Sequence, residues 1–80
     1  MIEVEFCGRL STPFNGVQMI DLPEGVKTVS DLRSHFERKF QTDALTHITI
    51  RAVVNESIVT DIHEVFDGDR IAFLPPVGGG

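Results

Sequence analysis

Only one segment of this 80-residue sequence has the periodicity of an amphipathic helix, and segments with the periodicity of strands lie on both sides of it. Its apolar side chains recur at intervals of three and four residues and therefore share one stripe: Val29, Leu32, Phe36 and Phe40. Arg33 and Arg38 are expected to lie off that stripe. A single apolar stripe needs an apolar sheet face to cover it, so the fold is constrained to a sheet crossed by one helix.

The start of this helix and the strands around it are marked by local signals. Thr28 and Asp31 fit the capping box that begins a helix. Five β-rich segments are predicted as strands, the first two as a hairpin with a loop over 8–16: residues 2–7, 17–22, 48–54, 58–59 and 70–74. The predicted order is β-β-α-β-β-β, an α+β arrangement.

Length and charge exclude several classes of protein. A chain of 80 residues is one domain, and none of its apolar runs approaches the ~20 residues of a membrane span. The net charge of −5 opposes nucleic acid and anionic membranes and suits a basic protein surface, although solubility explains it equally well. The start has no secretory signal, and the single Cys7 excludes an internal disulfide framework, so we expect a cytoplasmic protein.

Catalytic and metal-binding patterns are weak. Cys7 is more typical of a thiol on a strand face than of a nucleophile. His35, His47 and His63 share no metal-ligand spacing, and we expect no metal site.

The last six residues, 75–80, form a distinctive tail. Pro75 and Pro76 favour an extended exit from the final strand, and three glycines end the sequence. Extended, this segment reaches on the order of 18 Å, enough to enter a partner's active site. The alternative is a frayed end or a flexible stub.

Several motifs resemble the small sulfur-carrier subunits of molybdopterin synthase, in the ubiquitin-like ThiS/MoaD family. They are Thr28–Arg33, Val53–Asn55, Asp67–Asp69, Ile71–Val77 and Gly79–Gly80. The resemblance implies a ubiquitin-like β-grasp fold over residues 1–74, with a mixed sheet of about four to five strands, and a sulfur-carrying tail over residues 75–80.

The resemblance also implies a chemistry and a set of partners. A ubiquitin-activating-type adenylyltransferase would use ATP to adenylate the C-terminal carboxylate of Gly80. A sulfur donor of the rhodanese or cysteine desulfurase type would then convert it to a thiocarboxylate. In the large catalytic subunit, the sulfur would pass to cyclic pyranopterin monophosphate. The chain itself would be non-catalytic and would hold no permanent cofactor.

Site residues follow from the same resemblance. The segment that threads into partners would be Pro75, Pro76, Val77, Gly78 and Gly79. Phe73 and Leu74 would serve docking, and strand alternation predicts that Phe73 faces the core and Leu74 the outer surface.

Three departures from the family pattern leave alternatives open. The first loop is Ser11–Phe14, Leu74 stands where an aromatic residue is common, and Gly78 gives the triple-glycine end of thiazole-pathway carriers. A carrier for thiamin thiazole or another sulfurated product, a protein modifier conjugated through Gly80, and a plain binding module with an inert tail are the alternatives.

The tail hypothesis predicts that Gly79→Val blocks adenylation and leaves the fold intact. A β-branched side chain adds bulk and removes backbone freedom where a narrow channel must enclose the tail. Pyrophosphate release by the activating enzyme measures the effect, with circular dichroism as the fold control. Equal rates of pyrophosphate release for the variant and the wild type would mean that the tail is not threaded into the enzyme and that the glycines are a frayed end.

Overall fold

Five strands and one long helix make up residues 1–45 and 49–76, which are the residues that the structure, a computed structural model, describes. The elements are β1 (Ile2–Phe6), a 3-10 helix (Gly8–Leu10), β2 (Val17–Ile20), α1 (Val29–Phe40), β3 (Arg51–Val54), β4 (Ser57–Val59) and β5 (Arg70–Leu74). The predicted α+β class with a mixed sheet is confirmed. The 3-10 helix lies in the segment that was predicted as a loop.

The strands form a single mixed sheet in the order β2-β1-β5-β3-β4. β1 and β5 run parallel, with Glu3 opposite Arg70 and Phe6 opposite Phe73. The other neighbours are antiparallel, including the predicted β1–β2 hairpin. The last strand therefore lies at the centre of the sheet, between the first strand and β3.

One face of the sheet packs against α1 and forms the core. Alternate residues of β1 and β5 point to this face and are fully buried, as strand periodicity requires. The Phe6 ring contacts Phe36 of α1 edge-on, with centroids 5.0 Å apart, and stacks on Phe73 at 5.7 Å. The predicted stripe of α1 is buried except for Phe40, which is only half-buried.

A residue of the first loop completes this aromatic core. Phe14 was predicted in the loop over 8–16, yet none of its surface is exposed. Its ring stacks on Phe6 with centroids 4.6 Å apart and meets Phe40 edge-on at 5.3 Å. The unusual first loop thus supplies a core side chain.

The capping box at the start of α1 is confirmed. The Asp31 amide donates to Thr28 Oγ1 at 3.2 Å, and the Thr28 amide donates to the Asp31 carboxylate at 3.1 Å. Two backbone donors, those of Lys27 and Thr28, favour the charged form and lower the pKa of Asp31.

The prediction for Arg33 was wrong, because this side chain is buried. Its guanidinium donates to the carbonyls of Leu45, at 2.6 Å, and Ile50, and its Nε donates to Asp61 at 3.1 Å. It also lies over the Phe73 ring, 5.4 Å from the centroid. Residue 33 is four positions after Val29 and three before Phe36, so helical spacing already places it on the buried stripe.

Three strands are shorter than predicted. β1 ends at Phe6 and β2 at Ile20, and β3 begins at Arg51, the partner of Leu74. The next pair would join Ile50 to Pro75, which has no amide hydrogen to donate. The Ile50 carbonyl instead accepts a hydrogen bond from Arg33. Ile48, predicted in the same strand, lies outside the described residues.

Hydrogen bonds of two side chains join the turn after β3 to the turn before β5. The side-chain Nδ2 of Asn55 donates to Asp69 Oδ1 at 2.9 Å. The side-chain Oδ1 of Asn55 accepts from the backbone amide of Arg70 at 3.0 Å. The other oxygen of Asp69 accepts from the Phe66 amide at 2.9 Å. Asn55 is itself held at a positive φ of 48°. These bonds give the predicted turn residues a common role in holding the start of β5.

We predict that Arg33→Met lowers the free energy of unfolding by about 2–6 kcal/mol, because two buried carbonyls lose their donor and each unsatisfied carbonyl costs about 1–3 kcal/mol. The substitution leaves the buried carbonyls of Leu45 and Ile50 without their donor. Urea unfolding of the variant and the wild type measures the difference. Arg38→Met is the matched control, since Arg38 is exposed on the same helix. A loss as small as that of the control would mean that the buried guanidinium contributes no net stability.

Candidate functional site

The predicted tail leaves the fold from the middle of the sheet. β5 ends at Leu74, and Pro75 and Pro76 follow it, both half-buried. The backbone amide of Cys7, just after β1, donates to the Phe73 carbonyl at 3.0 Å. This bond joins the end of β5 to the end of β1. The root of the tail is therefore fixed by pairing on both sides of β5.

Gly8 makes room for this root. Its φ is +55°, and a Cβ there would lie 3.2 Å from Pro75 Cγ. That separation is tighter than ordinary van der Waals contact, and the backbone angle disfavours any other residue. Gly8 thus allows the 3-10 helix to lie against Pro75, a role that sequence reasoning did not assign to it.

A groove of about 450 Å³ opens beside the two prolines. We call it the tail-root groove; it is lined by Thr49, Arg51, Ile58, Leu74, Pro75 and Pro76. Ile58, on the edge strand β4, leaves 67% of its surface exposed. An apolar residue this exposed beside an apolar groove is typical of a surface that binds another protein.

The groove belongs to the outer face of the sheet, which is the face turned away from α1. Going from β1 to β4, the outer face carries Glu3, Glu5, Arg70, Ala72, Leu74, Arg51, Val53 and Ile58. In the described ranges, no helix packs on it. The outer face is therefore the broad surface from which the tail departs.

A second concavity, of about 200 Å³, lies on the outer face. We call it the acidic pocket; it is lined by Glu3, Glu5, Val53, Asn55, Glu56, Arg70, Ile71 and Ala72. Arg70 Nε lies 3.6 Å from Glu3 Oε2, and the two side chains form an ion pair at the surface. The pocket exists because the sheet order places β1, β5 and β3 side by side. Local sequence patterns do not specify that order and so did not predict the pocket.

The two predicted docking residues face opposite sides of the sheet. Phe73 is completely buried among the core aromatics, whereas Leu74 is half-buried and lines the tail-root groove. The predicted directions are confirmed. Of the pair, only Leu74 offers side-chain surface to a partner.

Cys7 has the properties of a protonated thiol. Burial raises its pKa, and the neighbouring Glu5 raises it further through its negative charge and by accepting a hydrogen bond. A nucleophilic cysteine needs the opposite environment, with a lowered pKa.

The described histidines do not form a site. Burial, and then the charges of Lys39 and Arg38, lower the pKa of His35 on α1. His63 is exposed, and its carbonyl accepts from the Val29 amide at 3.0 Å. Over residues 1–45 and 49–76, no group of three His, Cys, Asp or Glu side chains is placed to hold a metal, and no helix is long and apolar enough for a membrane span.

Several predicted site residues lie outside the described residues. These are His47 and the end of the tail, Val77, Gly78, Gly79 and Gly80. Their assigned roles stay predictions.

Comparison with known proteins places the chain in a family. A family model described as ThiS family matches residues 4–80. The molybdopterin synthase sulfur carrier subunit of Escherichia coli is 36% identical over an 84-residue alignment that covers both chains completely.

Solved structures share the fold. Subunit 1 in a complex of subunits 1 and 2 of the molybdopterin-converting factor from Helicobacter pylori matches with a TM-score of 0.68 and 23% identity, covering 99% of this chain and 97% of that one. SAMP1 from Haloferax volcanii matches with a TM-score of 0.77 and 19% identity, covering 99% and 98%. At these identities the structures support the ubiquitin-like β-grasp fold alone.

The opposite orientations of Phe73 and Leu74 predict opposite effects of substitution. Leu74→Glu places a charge in the tail-root groove and should weaken binding of the large subunit named by the resemblance, while the domain stays folded. Phe73→Ala should cost about 3–5 kcal/mol of stability, since it opens a cavity among the core aromatics. Calorimetric titration and urea unfolding measure the two effects. An unfolded Leu74→Glu variant and a stable Phe73→Ala variant would contradict the site.

Proposed function

The chain belongs to the ThiS family, and from that premise we propose that it is the sulfur-carrier subunit of a molybdopterin synthase, donating sulfur to cyclic pyranopterin monophosphate. The observation that carries the proposal is the 36% identity to the Escherichia coli carrier over the full length of both chains. In this role the chain is a non-catalytic subunit, because the sulfur is transferred in the active site of its partner.

The reacting group we propose is the carboxylate of Gly80. A carboxylate is a poor electrophile until one of its oxygens becomes part of a good leaving group. Attack of the Gly80 carboxylate on ATP forms an acyl adenylate and releases pyrophosphate. The terminal sulfur of the donor's cysteine persulfide then attacks the acyl carbon, and AMP departs with its bridging oxygen to leave an acyl disulfide. A second thiol attacks the donor's sulfur in that disulfide. The sulfur–sulfur bond breaks, the second thiol and the donor cysteine form a disulfide, and the thiocarboxylate remains on Gly80.

Catalytic groups for these steps come from partners. Neutralising the phosphates of ATP requires cationic side chains and a metal ion in a preorganised site. We therefore propose a ubiquitin-activating-type adenylyltransferase and a rhodanese or cysteine desulfurase type donor as successive partners. The large catalytic subunit is the third, and the Helicobacter pylori complex, in which a protein of this fold is joined to a subunit 2, supports it.

The geometry of the tail root suits delivery of a carboxylate into a deep site. The β5 strand is held on both sides, and Pro75 lies against Gly8. Val77–Gly80, extended, would reach roughly 12–14 Å beyond Pro76. A rigid base with a thin tip lets the folded domain dock outside the site while the tip alone enters.

The alternative functions are less well supported. A structure titled small archaeal modifier protein 1, also from Haloferax volcanii, shares the fold, but at 18% identity that likeness carries no function. The Escherichia coli relative, which the alignment covers over its whole length, is named as a sulfur carrier subunit of molybdopterin synthase.

We predict that deleting Gly79 and Gly80 abolishes sulfur loading and leaves stability unchanged. The deletion retracts the carboxyl group by roughly 6–7 Å from the activating site. Thermal unfolding tests stability, and intact mass spectrometry after incubation with the activating enzyme, ATP and sulfur donor tests loading. The wild type should gain the mass difference between sulfur and oxygen.

The control for this deletion is a chain with two added glycines after Gly80. It keeps every residue of the tail but moves the carboxyl group outward, so it should also fail to load. Full loading of the shortened chain would contradict the carrier function.

A further inference from the structure

We propose that the acidic pocket on the outer face binds a lysine or arginine side chain of the large subunit when that subunit accepts the tail. This inference rests on the proposed function and deepens it, since it assigns a second contact to the same partner. Three observations support it: the unbalanced charge of the pocket, its apolar floor, and its continuity with the tail-root groove.

The charges of the pocket are not balanced within the chain. Three carboxylates line it, those of Glu3, Glu5 and Glu56, against one guanidinium, that of Arg70. Arg70 lies 3.6 Å from Glu3. In the part of the chain that the structure describes, Glu5 and Glu56 have no cationic partner, and Glu5 accepts only the Cys7 thiol. Two exposed carboxylates therefore remain to attract a cation.

The floor of the pocket suits the stem of a long basic side chain. Val53 and Ala72 are cross-strand neighbours on β3 and β5, and both are half-buried on the outer face. Lysine and arginine place their methylene groups along apolar surface while the charged end stays among polar groups. Arginine fits two carboxylates especially well, because its planar fork presents several donors.

The pocket and the tail-root groove are parts of one surface. Val53 is the register partner of Ile58, which lines the groove, and Ala72 is two residues before Leu74. A partner that covers the groove in order to receive the tail would therefore also cover the pocket, because both lie on the outer face of the sheet. The net charge of −5 adds long-range attraction to a basic surface.

A second copy of the chain is the competing occupant, because Arg51 on the outer face is exposed. Self-association would place the arginine of one copy near the carboxylates of the other. The large subunit is favoured because it must approach the tail root, which lies at the edge of this surface.

The test compares Glu5→Gln and Glu56→Gln with Glu24→Gln. Each substitution removes one charge, but Glu24 lies in the turn before α1, with Gly25, Asp31 and Arg38 around it, away from the outer face. Calorimetric titration against the large subunit should show affinity lower by about two- to fivefold for each pocket variant at low salt, as for a partly exposed ion pair. The control should match the wild type.

Salt dependence separates a charge contact from a change of shape. At high ionic strength the difference between the pocket variants and the wild type should shrink, because screening weakens exposed ion pairs. A difference that persists unchanged in high salt overturns the proposal, as does wild-type affinity in both pocket variants. Circular dichroism confirms that each variant is folded.

Two further outcomes distinguish the competing explanations. If the wild type does not bind the large subunit at all, the proposed function fails together with this inference. If the wild type binds and the pocket variants bind equally well, only the inference fails. Sedimentation of the chain alone completes the test: a dimer that Glu5→Gln dissociates would assign the pocket to a second copy and overturn the proposal.

Discussion

The parallel pairing of β1 with β5 is the contact on which the rest of the structure depends. It joins residues near the start of the chain to residues near its end, from Glu3 with Arg70 to Phe6 with Phe73. β2 pairs with β1 and β3 pairs with β5, while β4 is attached through β3, and α1 covers the face that β1 and β5 bury together. Since β5 lies between two partners, the residues that follow it leave from a position that cannot fray as a sheet edge does.

Two polar devices hold this centre in place at opposite ends. At the start of β5, Asn55 and Asp69 connect the turn after β3 to the turn before β5. Near its end, the Arg33 guanidinium joins α1 to the carbonyls of Leu45 and Ile50 and lies over the Phe73 ring. Both devices satisfy backbone groups that the sheet leaves unpaired. The buried Arg33 does so inside the protein, where polar groups are almost always hydrogen-bonded.

Local patterns in the sequence predicted most of the fold, and long-range contacts account for what they missed. Alternation identified the direction of Phe73 and Leu74, and capping residues identified the start of α1. Arg33 was misassigned because its charge was given more weight than its spacing. Phe14 was correctly placed in the first loop, but no local pattern indicated that its side chain enters the core. The acidic pocket depends on strand order, which no local pattern specifies. Glu5 and Glu56 are distant in sequence and line the same pocket only because β1 and β3 both pair with β5.

The central position of β5 also has a consequence for biosynthesis. Until residues 70–74 are available, β1 has no parallel neighbour, and the β3–β4 hairpin has no strand that connects it to the β1–β2 hairpin. Contacts of such long sequence separation form late, because the loop that they close must be ordered first. The nascent chain therefore cannot complete its sheet before β5 has emerged from the ribosome, and until then the two hairpins lack the strand that joins them.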